Sequence, residues 1–135
     1  MKIAVIRSCN FVKQMQEVSD YLSKKEHKVF LPEPLVTEEQ YAEEHGRDKL
    51  LQDKAMFTKK HCKRIENSDA LLIINPKKKD INGYIGTNTL MELSIAFHFD
   101  KLIFLLYDFD KSHPHYEGLV GLNATILNGD LDLIK

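Results

Sequence analysis

Short, wholly hydrophobic runs alternate along this chain with longer stretches in which hydrophobic residues recur at helical spacing. The strongest runs are residues 3–6, 70–74 and 102–107, and weaker candidates lie at 28–31, which Pro32 and Pro34 terminate, and near 124–127. Hydrophobicity at every position, rather than at every second one, indicates strands with both faces covered, as in a parallel sheet between layers of helices.

Amphipathic helices are predicted between these strands. Their hydrophobic stripes consist of Phe11, Met15, Val18 and Leu22 in the first helix, of Leu51, Ala55, Cys62 and Ile65 in the second, and of Leu90, Leu93 and Phe97 in the third. The second helix is expected to begin after Gly46 and to end near Asn67, and the third to span about 87–99. The polar stretch 35–48 is compatible with a lid, a short helix or a surface loop.

The alternation of strands and helices predicts an α/β fold in a single domain over residues 1–135. With connections this short and right-handed crossovers, we expect a doubly wound parallel sheet of about five strands. The architecture is then a flavodoxin-like, Rossmann-type three-layer sandwich.

Composition and charge narrow the class of protein. The 135 residues are 43% hydrophobic and 29% charged, which is typical of a soluble globular protein. Lys and Arg number 19 and Asp and Glu number 20, for a formal net charge of -1. A nucleic-acid polymer or an anionic membrane is therefore not an expected partner, because either would favour an excess of basic residues.

Cysteine use and hydrophobic run length indicate a location. Cys9 and Cys62 are far apart and fit no metal-ligand spacing, which favours a reduced protein. The first hydrophobic run is too short for a signal peptide, and no run approaches the ~20 residues of a membrane helix. The expectation is a cytoplasmic protein.

Ligands of a doubly wound sheet bind beyond the carboxyl ends of the strands, where the winding reverses. This directs attention to the loops 7–11, 75–87 and 107–116. In the first loop Ser8 and Asn10 are capping candidates, and the N–H groups of the following helix favour an anion such as phosphate. A plain helix cap without a ligand is an equally good interpretation.

The most informative segment is residues 81–93. Gly83 and Gly86 allow a tight backbone, Thr87 can cap the next helix, and Glu92 lies in its early turns. Because helical side chains lean toward the N-terminus, Glu92 is expected to project back toward the ends of the strands. The helix dipole would keep the carboxyl group ionised, as a nucleophile requires. The alternative is simple dipole complementation.

Two further groups of residues carry weaker signals. Lys77, Lys78 and Lys79 either attract a phosphate or form an ordinary solvated loop, and the second interpretation is favoured. His113 and His115 suggest a metal pair, but no third ligand stands at a recognisable spacing. No metal site is predicted.

Three segments together resemble the nucleoside 2-deoxyribosyltransferase family, which also contains the 2'-deoxynucleoside 5'-monophosphate N-glycosidases. The segments are Asp-Ala-Leu-Leu-Ile-Ile-Asn at 69–75, Gly-Tyr-Ile-Gly-Thr-Asn-Thr-Leu-Met-Glu-Leu-Ser-Ile-Ala at 83–96 and Lys-Leu-Ile-Phe-Leu-Leu at 101–106. The first loop is similar to the opening segment of the family through Ser8 and Phe11. The similarity covers most of residues 1–107 and is most specific around Glu92.

The resemblance implies cleavage of the N-glycosidic bond of deoxynucleosides or deoxynucleoside monophosphates through a covalent deoxyribosyl enzyme. Glu92 would be the nucleophile, and His61 would transfer a proton or position the base. The implied substrate-binding residues are Ser8, Asn10, Phe11, Tyr84, Gly86, Thr87 and Asn88. The resemblance also implies a small-molecule nucleoside or nucleotide substrate, no metal or organic cofactor, and a homo-oligomer.

The chain departs from the family pattern at four positions. His61 stands where the family has an Asp that serves the nucleobase, and Gly86 where transferases have Asp and monophosphate hydrolases have Ser. Arg7 replaces the usual Gly, and Asn10 the usual Arg. The two first-loop departures count against a 5'-phosphate site there. The two missing Asp residues favour a second hypothesis, a module that binds a nucleotide or senses a nucleotide signal without turnover. A flavodoxin-like electron carrier ranks third, because no flavin loop is recognisable.

Overall fold

Five parallel strands form the centre of the protein in a computed structural model that describes residues 1–7, 12–32 and 38–135. The strands are β1 (Lys2–Arg7), β2 (Lys28–Phe30), β3 (Ala70–Ile74), β4 (Leu102–Leu105) and β5 (Thr125–Ile126). Their order in the sheet is β2-β1-β3-β4-β5, and every neighbouring pair is parallel. This order is that of a flavodoxin-like doubly wound sheet, which confirms the predicted fold class.

Helices connect the strands within the described residues. They are α1 (Val12–Lys24), α2 (Glu38–His45), α3 (Arg47–Glu66), α4 (Thr87–His98) and α5 (Tyr116–Gly121), followed by a short 3₁₀ helix, Leu131–Leu133. Helix α2 occupies part of the stretch 35–48, so a short helix is the correct choice there. Helix α5 is an element that the hydrophobic pattern did not predict.

The sheet separates two hydrophobic clusters. One contains Ile3, Val5, Leu72 and Ile74 together with Met15, Val18 and Leu22 of α1. The other contains Ala4, Ile6, Leu71 and Ile73 together with Ile65 of α3, Leu93 and Ala96 of α4 and Leu119 of α5. Successive residues of β1 and β3 thus point into opposite clusters, which is why both strands are hydrophobic at every position.

Two of the predicted helix stripes are wrong in part. Leu51 is 58% exposed, and the preceding Leu50 is buried instead. Of that stripe Ile65 is the fully buried member. In α4, Leu93 is buried whereas Phe97 is 51% exposed. The physical reason is that α3 packs against α2 and α4, so its buried positions depend on neighbouring helices as well as on the sheet.

The winding of the sheet reverses between β1 and β3. These strands pair from Ile3 opposite Ala70 to Arg7 opposite Ile74, so both end at the same edge. Thr89 near the start of α4 is buried, with its Oγ1 3.5 Å from the carbonyl oxygen of Arg7. The beginning of α4 therefore lies beside the carboxyl end of β1, where ligands of such folds bind.

Asn75 joins the loops that follow β3 and β4. Its side chain is completely buried, its Oδ1 accepts a hydrogen bond from Tyr107 N at 2.9 Å, and its Nδ2 donates to Tyr107 O at 2.8 Å. The amide thus satisfies two backbone groups beyond the end of the ladder, which buried backbone requires.

Gly83 brings the same two loops into close contact. Its φ is +60°, and a Cβ built on it would overlap the carbonyl oxygen of Asp108. Only glycine combines this left-handed backbone with this approach.

We expect Gly83→Ala to lower the free energy of unfolding by about 2–4 kcal/mol, because the methyl group adds overlap to an unfavourable φ. Urea denaturation followed by circular dichroism measures this change. The matched control is Gly118→Ala in α5, where a Cβ meets open space. The control should be neutral or stabilising by up to about 1 kcal/mol, and equal effects of the two substitutions would contradict the argument.

His113 holds the loop before α4 against the loop after β4. The imidazole is buried, with Nε2 3.1 Å from Ile85 N and Nδ1 3.0 Å from His115 N. A neutral ring can accept one of these hydrogen bonds, whereas a doubly protonated ring can accept neither. Burial lowers the pKa of His113, and the charge of His115 lowers it further.

The lowered pKa predicts that the protein is less stable in mild acid. The unfolded chain binds the His113 proton more readily than the folded protein does, so the stabilisation is present above about pH 6.5 and is lost as the pH falls through the folded pKa. We expect urea midpoints to decrease between about pH 7.5 and 5.5, and His113→Gln to reduce that decrease. An unchanged pH dependence in the variant would refute the assignment to His113.

Candidate active site

A carboxylate and an imidazole face each other between α3 and α4. Nδ1 of His61 lies 3.5 Å from Oε2 of Glu92, and the two side chains are 22% and 17% exposed, respectively. The arrangement joins residues that are 31 positions apart in the chain. These are the two residues that the sequence predicted as catalytic, and the fold places them in contact.

The two-sided character of α4 determines where Glu92 points. Thr89, Leu93 and Ala96 are buried toward the sheet, whereas Asn88 and Glu92, four residues apart, share the face toward α3. Helix α4 has Gly86 as its N-cap, with no side-chain cap hydrogen bond, and Thr87 is its first residue. The predicted capping role of Thr87 is therefore wrong.

A small pocket surrounds the pair. Its volume is about 90 Å³. Its charged and polar lining includes Glu38, Lys54, His61, Asn88 and Glu92, and its apolar lining includes Phe57 and Met91. The pocket thus combines two carboxylates, two basic groups and an amide with apolar walls.

One oxygen of Glu92 is inaccessible to solvent and lacks a donor. Its Oε2 accepts no hydrogen bond from residues 1–7, 12–32 or 38–135. Buried carboxylate oxygens are normally hydrogen-bonded, and exceptions call for an explanation. A carboxylate whose lone pairs are not all taken up by N–H or O–H donors keeps the electron density that a nucleophile needs.

Glu38 of α2 connects the two sides of the pocket. Nζ of Lys54 on α3 lies 3.2 Å from Oε1 of Glu38 and 3.3 Å from Oε2. Oε1 also accepts a hydrogen bond from Nδ2 of Asn88 at 3.4 Å. Neither Glu38 nor Lys54 was expected at the site. Glu38 lies in the ambiguous polar stretch and Lys54 on a lysine-rich helix, so no periodicity or motif could have distinguished them.

The other predicted residues that the structure describes do not line this pocket. Tyr84 is half-buried, with Nζ of Lys78 5.4 Å from the centre of its ring, and the ring lies beside Gly86. Thr87 is exposed at the start of α4. Ser8, Asn10 and Phe11 lie outside the described residues. Among those described, the structure brings Asn88 together with His61 and Glu92 but leaves Tyr84 out of the lining of this pocket.

A larger pocket of about 450 Å³ lies at the ends of β3 and β4. The loops after these strands meet there, and their side chains include Lys77, Asn82, Tyr107, Asp108 and Asp110. The predicted loops 75–87 and 107–116 therefore do converge at the carboxyl edge of the sheet. Glu92 does not line this pocket; it lies on the face of α4 toward α3, beside His61.

Among the described residues, no three His, Cys, Asp or Glu side chains are grouped so that they could hold a metal ion. The described helices also include none that combines the length and the apolar character needed to cross a bilayer.

Comparison with known proteins gives no match. The chain matches no protein-family model, no curated protein and no solved structure. What bears on the function of this protein is therefore the chemistry of its own residues and their arrangement in the fold.

The missing donor at Glu92 predicts that the carboxylate contributes little to folding. We expect Glu92→Gln to unfold at the same or a higher urea concentration than the wild type, with a gain of at most about 1 kcal/mol. A loss of stability would instead identify the pair with His61 as a structural ion pair.

Asp53 provides a matched comparison for this measurement. Its side chain is also 17% exposed, but it accepts a 2.6 Å hydrogen bond from Tyr41 and lies 3.4 Å from Lys49. The hydrogen bond from Tyr41 lowers the pKa of Asp53. Asp53→Asn should therefore lower the urea midpoint, in contrast to Glu92→Gln.

Proposed function

We propose that this protein cleaves the N-glycosidic bond of deoxynucleosides or deoxynucleoside monophosphates through a covalent intermediate on Glu92. The observation that carries the proposal is the buried carboxylate oxygen of Glu92, which lacks a donor among the described residues and lies 3.5 Å from His61. The resemblance of residues 83–96 to nucleoside 2-deoxyribosyltransferases supplies the substrate class.

In the proposed first step a carboxylate oxygen of Glu92 bonds to the anomeric carbon of the sugar. The bond from that carbon to the base nitrogen breaks, and its electron pair leaves with the base. The leaving base takes a proton from the protein or from water. The transition state resembles an oxocarbenium ion, which a nearby carboxylate stabilises electrostatically. A deoxyribose forms this cation readily, because it lacks the electron-withdrawing 2-hydroxyl group.

In the second step water or another base attacks the same carbon and releases Glu92. Water loses a proton when the sugar hemiacetal forms, and the imidazole of His61 beside the carboxylate can accept that proton. In this proposal His61 performs the proton transfer that an Asp performs in the resembling family. The cycle as proposed consumes no metal or organic cofactor. Assembly as a homo-oligomer is proposed from the resemblance, and a cytoplasmic location from the use of cysteine along the chain.

Base release tests the proposal directly. The protein is incubated with each deoxynucleoside and each deoxynucleoside 5'-monophosphate, with and without a second base, and products are separated by chromatography. We expect release that Glu92→Gln reduces roughly a thousandfold or more. Dependence on the second base would distinguish a transferase from a hydrolase.

The exposed Glu66 at the end of α3 provides the control. Glu66→Gln changes charge by the same amount on a helix that lines the pocket, so it should retain wild-type activity. Retention of activity by Glu92→Gln would exclude covalent catalysis by this residue.

The second candidate function is binding of a nucleotide or nucleotide-derived signal without turnover. It is favoured by the larger pocket at the strand ends, about 450 Å³, which is set apart from Glu92. A binding module would be stabilised by a nucleotide and would return it intact, whereas the enzyme releases free base.

A further inference from the structure

Glu38 is placed where it can control the charge of the candidate active site. Its two carboxylate oxygens lie 3.2 and 3.3 Å from the single ammonium group of Lys54, and one of them also accepts the hydrogen bond from Asn88. Three helices thus meet at this carboxylate, because Glu38 belongs to α2, Lys54 to α3 and Asn88 to α4.

The described lining of the pocket carries no net positive charge. Glu38 and Glu92 contribute two negative charges, Lys54 contributes one positive charge, and His61 adds a second only when it is protonated. The net charge is therefore zero or negative. Because Lys54 is already matched by Glu38, the described lining offers no uncompensated cation to an incoming anion.

The lysines of the loop before α4 add no further positive charge to the described lining of the pocket. Of the three consecutive lysines, Lys77 lines the strand-end pocket, and Lys78 lies over Tyr84. A phosphate dianion in the Glu92 pocket would meet two carboxylates and a single, already paired ammonium group.

We propose that Glu38 is a specificity-determining residue that selects uncharged deoxynucleosides and excludes their 5'-phosphates. This inference rests on the proposed glycosidic function and narrows its substrate class. Glu38 acts by repelling a second anion and by neutralising Lys54, which would otherwise be a phosphate ligand. Discrimination by charge of this kind needs no steric exclusion of the phosphate.

The test compares kcat/KM for one deoxynucleoside with kcat/KM for its own 5'-monophosphate. For the wild type we expect the deoxynucleoside to be favoured by about tenfold or more. Glu38→Gln keeps the size of the side chain but removes its charge, so the preference should fall at least about fivefold. Lys54→Met removes the one permanent cation among the described residues of the pocket lining, so the preference should rise.

Opposite shifts in the two variants are a result that a purely structural role cannot produce. If Glu38 only docked α2, both variants would change the two substrates equally, and the proposal would be overturned. Glu39→Gln, on the same exposed turn of α2, serves as the control and should keep the wild-type preference. A wild-type preference for the monophosphate would overturn the proposal while supporting the glycosidic function.

Binding separates failure of this inference from failure of the proposed function. If neither substrate releases base, the glycosidic proposal fails, and calorimetric Kd values for the same deoxynucleoside and monophosphate then test the charge argument. Tighter binding of the deoxynucleoside supports the role of Glu38. Equal or tighter binding of the monophosphate, or binding of neither ligand, overturns it.

Discussion

The parallel pairing of β1 with β3 is the interaction on which the rest of the structure depends. Both strands are buried on both faces, and their register from Ile3 opposite Ala70 to Arg7 opposite Ile74 brings their carboxyl ends to one edge. The winding of the chain reverses at this pair, and ligands of such folds bind at that position. The start of α4 lies beside the end of β1 through the contact of Thr89 with the Arg7 carbonyl oxygen.

The direction of Glu92 follows from that placement of α4. Once Leu93 and Ala96 are buried against the sheet, helical geometry turns Glu92 toward α3, where His61 completes the pair. The contact between Glu92 and His61 therefore depends on the packing of α3 against α4. The loops at the strand ends are held instead by the Asn75 amide, the close approach at Gly83 and the His113 ring.

Strands and helices differ in how well the sequence predicted them. The central strands were found because residues buried on both faces must be hydrophobic throughout, whatever their neighbours. In α3 the pattern pointed to Leu51, but burial falls on Leu50, since this helix is covered by α2 and α4 and not by the sheet alone. Periodicity identifies a helix well but determines its buried face less reliably when several neighbours compete for it.

The same distinction applies to the candidate site. By itself the sequence determined the fold class, the position of Glu92 early in a helix and its likeness to a glycosidic nucleophile, because these depend on local pattern and residue type. Only the tertiary structure decided that Glu92 faces His61, and that Glu38 joins Lys54 and Asn88. Those contacts link residues from separate helices, and their distances follow from packing over the whole sheet, which no local pattern encodes.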